Sequence, residues 1–154
     1  MPTTKQPYSA DDSMGYFIHR LSKVMQRRFE VLLEESGSEI TIQMWVILSA
    51  IGKHNAAIPS QIADKTGIDR TATARSLTKM EKLKLISRKP SQEDGRSSQV
   101  RLTKKGENAL EIAAYCSQKT NEYFLEKLTH REHDSLKKIV SKLLSGEKGD
   151  ISYN

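Results

Sequence analysis

One run constrains the chain more than any other: residues 58–89, IPSQIADKTGIDRTATARSLTKMEKLKLISRK. Pro59 suits the first turn of a short helix, Ser60–Thr66, in which Ile62 and Ala63 face inward. Gly67 closes that helix, and Asp69 or its neighbour caps the next, which spans about 70–83. A short helix, a tight glycine turn and a second helix make a helix-turn-helix. Two segments with strand character follow, LISRKP and QVRLT, separated by the turn SQEDGRSS. A two-stranded hairpin packed after a helix-turn-helix is a winged helix.

The flanking sequence is helical. From Ser13, a plausible N-cap, Phe17, Leu21, Val24, Arg28 and Leu32 recur at three- and four-residue steps. Gly37 is a natural end for that helix. A second helix starts at Thr41 and reads IQMWVILSAIG, apolar on most sides and therefore buried, with a turn expected at Gly52–Ala57. After the hairpin, Thr103 caps a long helix over about 104–128. Thr129 caps a last one, with Leu136, Ile139, Val140, Leu143 and Leu144 along one stripe. The fold class predicted is mainly α with a small two- or three-stranded β-wing. Five segments follow: a flexible arm (1–12), an N-terminal dimerisation helix (13–40), a winged helix-turn-helix DNA-binding domain (41–103), C-terminal dimerisation helices (104–146) and a loose tail (147–154).

Charge is concentrated where the motif lies. The chain of 154 residues carries a net +6. Residues 70–105 hold eleven Lys and Arg against three acids, so the remainder is slightly acidic. One basic block in the middle of a chain points to a polyanion partner. No apolar run is long enough to span a membrane, and the N-terminus has no secretory pattern, so the chain reads as cytoplasmic. Cys116 is the only cysteine, which excludes an intrachain disulfide framework. No glycine-rich phosphate loop, nucleophile elbow or metal-ligand cluster appears, so neither an enzyme nor a cofactor is expected.

The candidate DNA contacts fall on the second helix of the motif and on the hairpin. On a helical wheel Thr73, Leu77 and Met80 take the core side; Arg70, Thr71, Ala74, Arg75, Thr78 and Lys82 share the other. That face offers arginine, which bonds guanine in pairs, and hydroxyls and small residues that permit close approach to the major groove. Thr73 is counted among the candidates as well. On the hairpin, Arg96 is the candidate for minor-groove insertion and Asp94 its organiser. Ser97 and Ser98 are candidate phosphate donors, and Arg88, with Lys89, Lys104 and Lys105, is expected to neutralise phosphates.

The stretches MGYFIHRLSKVMQRRFEVLLEESG, TIQMWVILSAI, the helix-turn-helix run and EDGRSSQVRLTKKG resemble the MarR family of winged-helix transcriptional regulators over roughly Ser13 to Ser145. The most specific part is Asp94, Arg96, Val100, Leu102, Thr103 and Gly106. The resemblance implies a homodimer built on the N- and C-terminal helices, binding a pseudo-palindromic double-stranded operator. It matches Arg75 to the family's recognition-helix arginine and Arg96 to its wing arginine. It also implies repression relieved by a small aromatic or anionic ligand, such as an aromatic acid or its coenzyme A thioester. The pocket it implies lies between the dimer helices and the DNA-binding lobe, with Phe17, His19, Arg20, Trp45, Tyr115 and Cys116 as candidates. Two alternatives stand beside this reading: an architectural DNA-binding protein with no dedicated ligand, and a redox sensor acting through Cys116.

Overall fold

A computed structural model of the chain describes residues 9–54, 58–90 and 98–146. Six α-helices and one two-stranded sheet follow in the order α1 (Met14–Glu35), α2 (Ile42–His54), α3 (Pro59–Thr66), α4 (Arg70–Lys82), β1 (Ile86–Pro90), β2 (Ser98–Leu102), α5 (Lys104–Leu125) and α6 (His130–Leu144). This is the expected class, with two rather than three strands among the described residues.

The core forms where the elements cross. Ile47, Leu48 and Ile51 of α2, Ile62 of α3, Leu77 and Met80 of α4 and Val100 of β2 are all but inaccessible to solvent. Phe29 and Leu33 of α1 and Ala113 and Cys116 of α5 extend this core between the long helices. The strands pair antiparallel, Ile86 opposite Leu102 and Pro90 opposite Ser98. Alternation sends Val100 inward and Arg101 out.

The chain reverses by local devices. Gly37 (φ 70°) ends α1, with Ser38 N donating to Leu33 O at 3.0 Å. At the end of α4 the same left-handed position is taken by Lys84 (φ 60°). There Leu85 N donates to Met80 O and Lys84 N to Glu81 O, both at 2.9 Å. That pair of bonds closes a helix and turns the chain sharply; here it turns α4 into β1.

Several boundaries differ from the sequence expectation. Ser13 makes no side-chain cap; residues 10–12, expected to be loose, form a 3₁₀ turn capped by Ser9, and Ser13 joins that turn to α1. The expected turn at Gly52 is helix through His54; Gly52 packs against Leu110, and the absence of a side chain there lets α5 approach. α3 begins at Pro59 rather than Ser60, and α5 stops at Leu125 rather than near 128.

Candidate nucleic-acid interface

The short helix and its turn aim α4. Thr66, buried at the end of α3, donates its hydroxyl to Ile62 O at 2.7 Å. Gly67 takes the left-handed conformation (φ 67°) that stops α3 at once. Two residues later Asp69 Oδ1 accepts from Ala72 N at 2.9 Å and starts α4. Gln43 of α2 donates to Ser76 Oγ at 3.0 Å, tying the middle of α4 to the core.

α4 then presents two faces. Thr73, Leu77 and Met80 are buried. Sequence places Thr73 on the core side and also among the candidate DNA contacts, and the structure supports the first alone: it is 1% exposed and its hydroxyl donates to Ile68 O, so it holds the turn. Arg70, Thr71, Ala74, Arg75, Thr78 and Lys82 all lie on the exposed side. Arg70 approaches Asp64 at 3.9 Å, both well exposed, a contact of little energetic consequence. Arg75 has no hydrogen bond or ion pair among the described residues, so its five donors remain available.

The hairpin lies beside this face. Asp94, Arg96 and Ser97 lie outside the described residues; Ser98 is half-buried at the start of β2. Arg88, a candidate phosphate contact, has neighbours within the protein. Its Nε is 3.2 Å from Glu81 Oε2 and its Nη2 donates to Thr78 Oγ1 at 3.4 Å, so its partners belong to the protein. Lys104 pairs with Glu107 at 3.1 Å, and Lys105 Nζ donates to Leu83 O at 3.0 Å. Both candidate phosphate cations thus also make contacts within the protein at the entry to α5, and the Lys104 side chain remains 81% exposed. Thr103 Oγ1 donates to Lys84 O at 2.6 Å and accepts from Gly106 N at 3.1 Å. The long helix is thereby fastened to the corner between α4 and β1. No sequence pattern marks these ties, since each joins residues whose spacing only the fold decides.

The six candidate ligand residues do not meet within one chain. Phe17, His19, Arg20 and Tyr115 are exposed. Trp45 packs against Phe29 with ring centroids 4.9 Å apart and planes tilted by 50°, and Cys116 is 3% exposed in the core. The reason is that α1 shares the core with α5 at Phe29 and Leu33, while Phe17 and Leu21 are 58% and 48% exposed among the described residues. A separate open cleft of about 420 Å³ does lie between α1 and α5, walled by Val24, Val31 and Phe124. In it the Arg28 guanidinium stands 3.6 Å from the centre of the Tyr123 ring. No group of three His, Cys, Asp or Glu could hold a metal among the described residues. No described helix is long and apolar enough to cross a membrane.

Apolar side chains remain exposed at both ends of the chain: Phe17, Ile18, Leu21 and Val24 on α1, and Ile139, Val140, Leu143 and Leu144 on α6. α6 makes no extensive contact with another element. A helix with such a stripe is stable only when something covers it.

Comparison with known proteins agrees with this geometry. A sequence profile of the MarR family matches residues 38–97, from just after α1 to the residue before β2. The transcriptional repressor MprA of Escherichia coli is 27% identical over 128 residues, covering 83% of this chain and 72% of MprA. Among solved structures, a mutant MarR of E. coli complexed with operator DNA superposes with TM-score 0.78 and 23% identity, over 85% of this chain and 93% of that one. BpsR of Bordetella bronchiseptica, whose DNA binding is regulated by 6-hydroxynicotinic acid, superposes with TM-score 0.82 and 18% identity, over 92% of this chain and all of BpsR.

Proposed function

We propose that the chain, whose residues 38–97 match a MarR-family profile, is a winged helix-turn-helix transcriptional repressor of that family that binds double-stranded DNA as a homodimer. It is a regulator rather than an enzyme. The observation that carries the reading is the face of α4: Arg70, Thr71, Ala74, Arg75 and Thr78 exposed together, on a helix fixed by Asp69, Gln43 and its buried side. A helix so held can enter the major groove with its N-terminal turns against base edges.

The uncovered stripes on α1 and α6 support the dimer. Two copies would cover them mutually and set two recognition helices about one DNA turn, roughly 34 Å, apart. The operator is then a pseudo-palindrome. Arg96, Asp94 and Ser97 at the hairpin tip serve as minor-groove and phosphate contacts in this reading.

A small aromatic or anionic ligand releases the repressor by changing the distance between the two heads. Support comes from BpsR, whose DNA binding a pyridine carboxylic acid regulates, and from the aromatic and cationic side chains near the junction of α1 and α5.

Selection of duplexes from a random-sequence pool, followed by titration, tests the reading. Wild type enriches a two-fold symmetric site. Arg75→Ala costs about 1–3 kcal/mol on that site and relaxes base preference at one position per half-site. Uniform weakening on every sequence would make Arg75 a phosphate contact instead. Adding 6-hydroxynicotinic acid and other aryl carboxylates to the complex tests the ligand; no release by any of them refutes that part alone.

A further inference from the structure

We propose that Arg88 is a positioning residue that fixes the angle between the recognition helix and the hairpin through Glu81 and Thr78, and that it does not neutralise a DNA phosphate. The inference rests on the DNA-binding reading above and deepens it.

Arg88 leaves β1 opposite the buried Val100, so its backbone is held by the sheet and the core. Its side chain turns back along α4 and reaches two residues one turn apart on that helix. Nε lies 3.2 Å from Glu81 Oε2, and Nη2 donates to Thr78 Oγ1 at 3.4 Å. The contact to Glu81 is an ion pair in which Nε has no hydrogen-bond geometry, and the planar guanidinium adds the bond to Thr78 from its other end. Thr78 is itself committed, its hydroxyl donating to Ala74 O at 3.0 Å. The Arg88 side chain is 27% exposed, against 78% for Arg70 on the same surface. It lies along the protein instead of reaching away from it.

Glu81 makes the same point from the other side. It is the only acid between residues 70 and 90, on a surface otherwise rich in Lys and Arg. Alone, a carboxylate there would oppose the approach of phosphates. Paired with Arg88, it serves as the anchor on α4 for a strut from β1. The strut sets the angle of β1, and through its pairing that of β2, against the recognition helix.

The proposal makes a prediction opposite in sign to simple charge counting. The measurement is affinity for a duplex selected by the wild-type protein, and for sonicated genomic DNA, across a series of salt concentrations. Glu81→Ala removes a negative charge, yet it should weaken binding to the selected duplex about tenfold and leave affinity for genomic DNA unchanged or slightly higher. Arg88→Met should cause a similar loss on the selected duplex without altering the dependence of affinity on salt. Exchanging the charges, Glu81→Arg with Arg88→Glu, should return affinity to within about threefold of wild type, although each exchange alone weakens it.

Two results overturn the proposal. One is a salt slope that falls in Arg88→Met by about 0.9 for each phosphate no longer neutralised, twice that for a dimer. The other is tighter binding of Glu81→Ala to both DNAs. Should Arg88→Met fail to fold, Glu81→Ala decides, because Glu81 is solvent-exposed and its replacement suits a helix. A wild-type protein that selects no duplex refutes the DNA-binding reading itself, and the strut with it, which sets that failure apart from the other two.

Discussion

Gly106 lies in the first turn of α5, where helix propensity favours alanine. By that reasoning Gly106→Ala should stabilise the protein by roughly 0.4–1 kcal/mol. The structure predicts the opposite. A Cβ at this position would stand 1.9 Å from the carbonyl oxygen of Leu85 and 3.0 Å from its carbon. Carbon–oxygen contacts settle at about 3.3 Å or more, so the carbonyl must retreat by more than about 1 Å. It is not free to do so. Leu85 O accepts from Thr103 N at 3.1 Å and lies 3.2 Å from Thr103 Oγ1, while Leu85 N donates to Met80 O at 2.9 Å. Leu85 itself is 3% exposed. Moving the carbonyl forfeits about two hydrogen bonds at roughly 1 kcal/mol each, with some loss of packing. The net cost is about 2–4 kcal/mol, larger than the gain in propensity. Thermal unfolding followed by circular dichroism, at a fixed protomer concentration, should show Tm lowered by about 5–12 °C. An unchanged or raised Tm would refute the close approach of α5 to the α4–β1 corner.

Three further outcomes follow from single contacts. Asp69→Ala removes the cap on Ala72 N and should cost about 1 kcal/mol in urea unfolding, with Asp69→Asn costing far less; equal losses in the two variants would deny the capping role. The Glu132 carboxyl is held below the ordinary glutamate range, first by the Thr129 backbone N–H and then by its hydroxyl. Its support for the start of α6 is therefore present above the unfolded-state value and is lost as pH falls through the lowered one. A carboxyl titration by NMR should place Glu132 below the exposed glutamates, and Thr129→Val should raise it only part of the way, because the backbone bond remains. Cys116, buried among the helices, should react with a thiol reagent at least about a hundredfold more slowly in the native protein than in urea. Rapid native reaction would reopen the redox alternative.

How much of the fold is legible in the sequence depends on the range over which each signal acts. The reading helix is legible because its determinants are local: Pro59, Gly67 and Asp69 set the ends of α3 and α4, and the spacing of Leu77 and Met80 sets the face that turns inward. Thr73 stands in sequence both on the core side and among the DNA candidates because a threonine serves equally as a base contact or as a buried donor. Only the position of the Ile68 carbonyl, fixed by the turn, decides between them. Gly52 reads as a turn because glycine marks turns more often than helices; the approach of Leu110 from α5, 58 residues away in sequence, gives it the other use.

The cations show the same limit more sharply. Charge counting treats Arg75, Arg88 and Lys105 alike, yet Arg75 has no partner among the described residues, Arg88 braces two elements and Lys105 caps a carbonyl. What separates them is which acceptors α4 or its C-terminal corner supplies: none among the described residues for Arg75, Glu81 and Thr78 for Arg88, and the Leu83 carbonyl for Lys105. For the ligand candidates the deciding neighbour lies further still. Phe17 and Leu21 sit on a stripe of α1 that this chain leaves uncovered, as does the stripe on α6. Their environment is therefore set by whatever covers α1, which on the proposed reading is a second copy of the chain. Ile139→Glu together with Leu143→Glu on α6 places two charges where that copy would pack, and should convert the dimer to monomers in sedimentation. DNA affinity should fall with it, because a monomer engages one half-site where the dimer engages two. A doubly substituted protein that stays dimeric and keeps full affinity would show that α6 does not hold the two heads together.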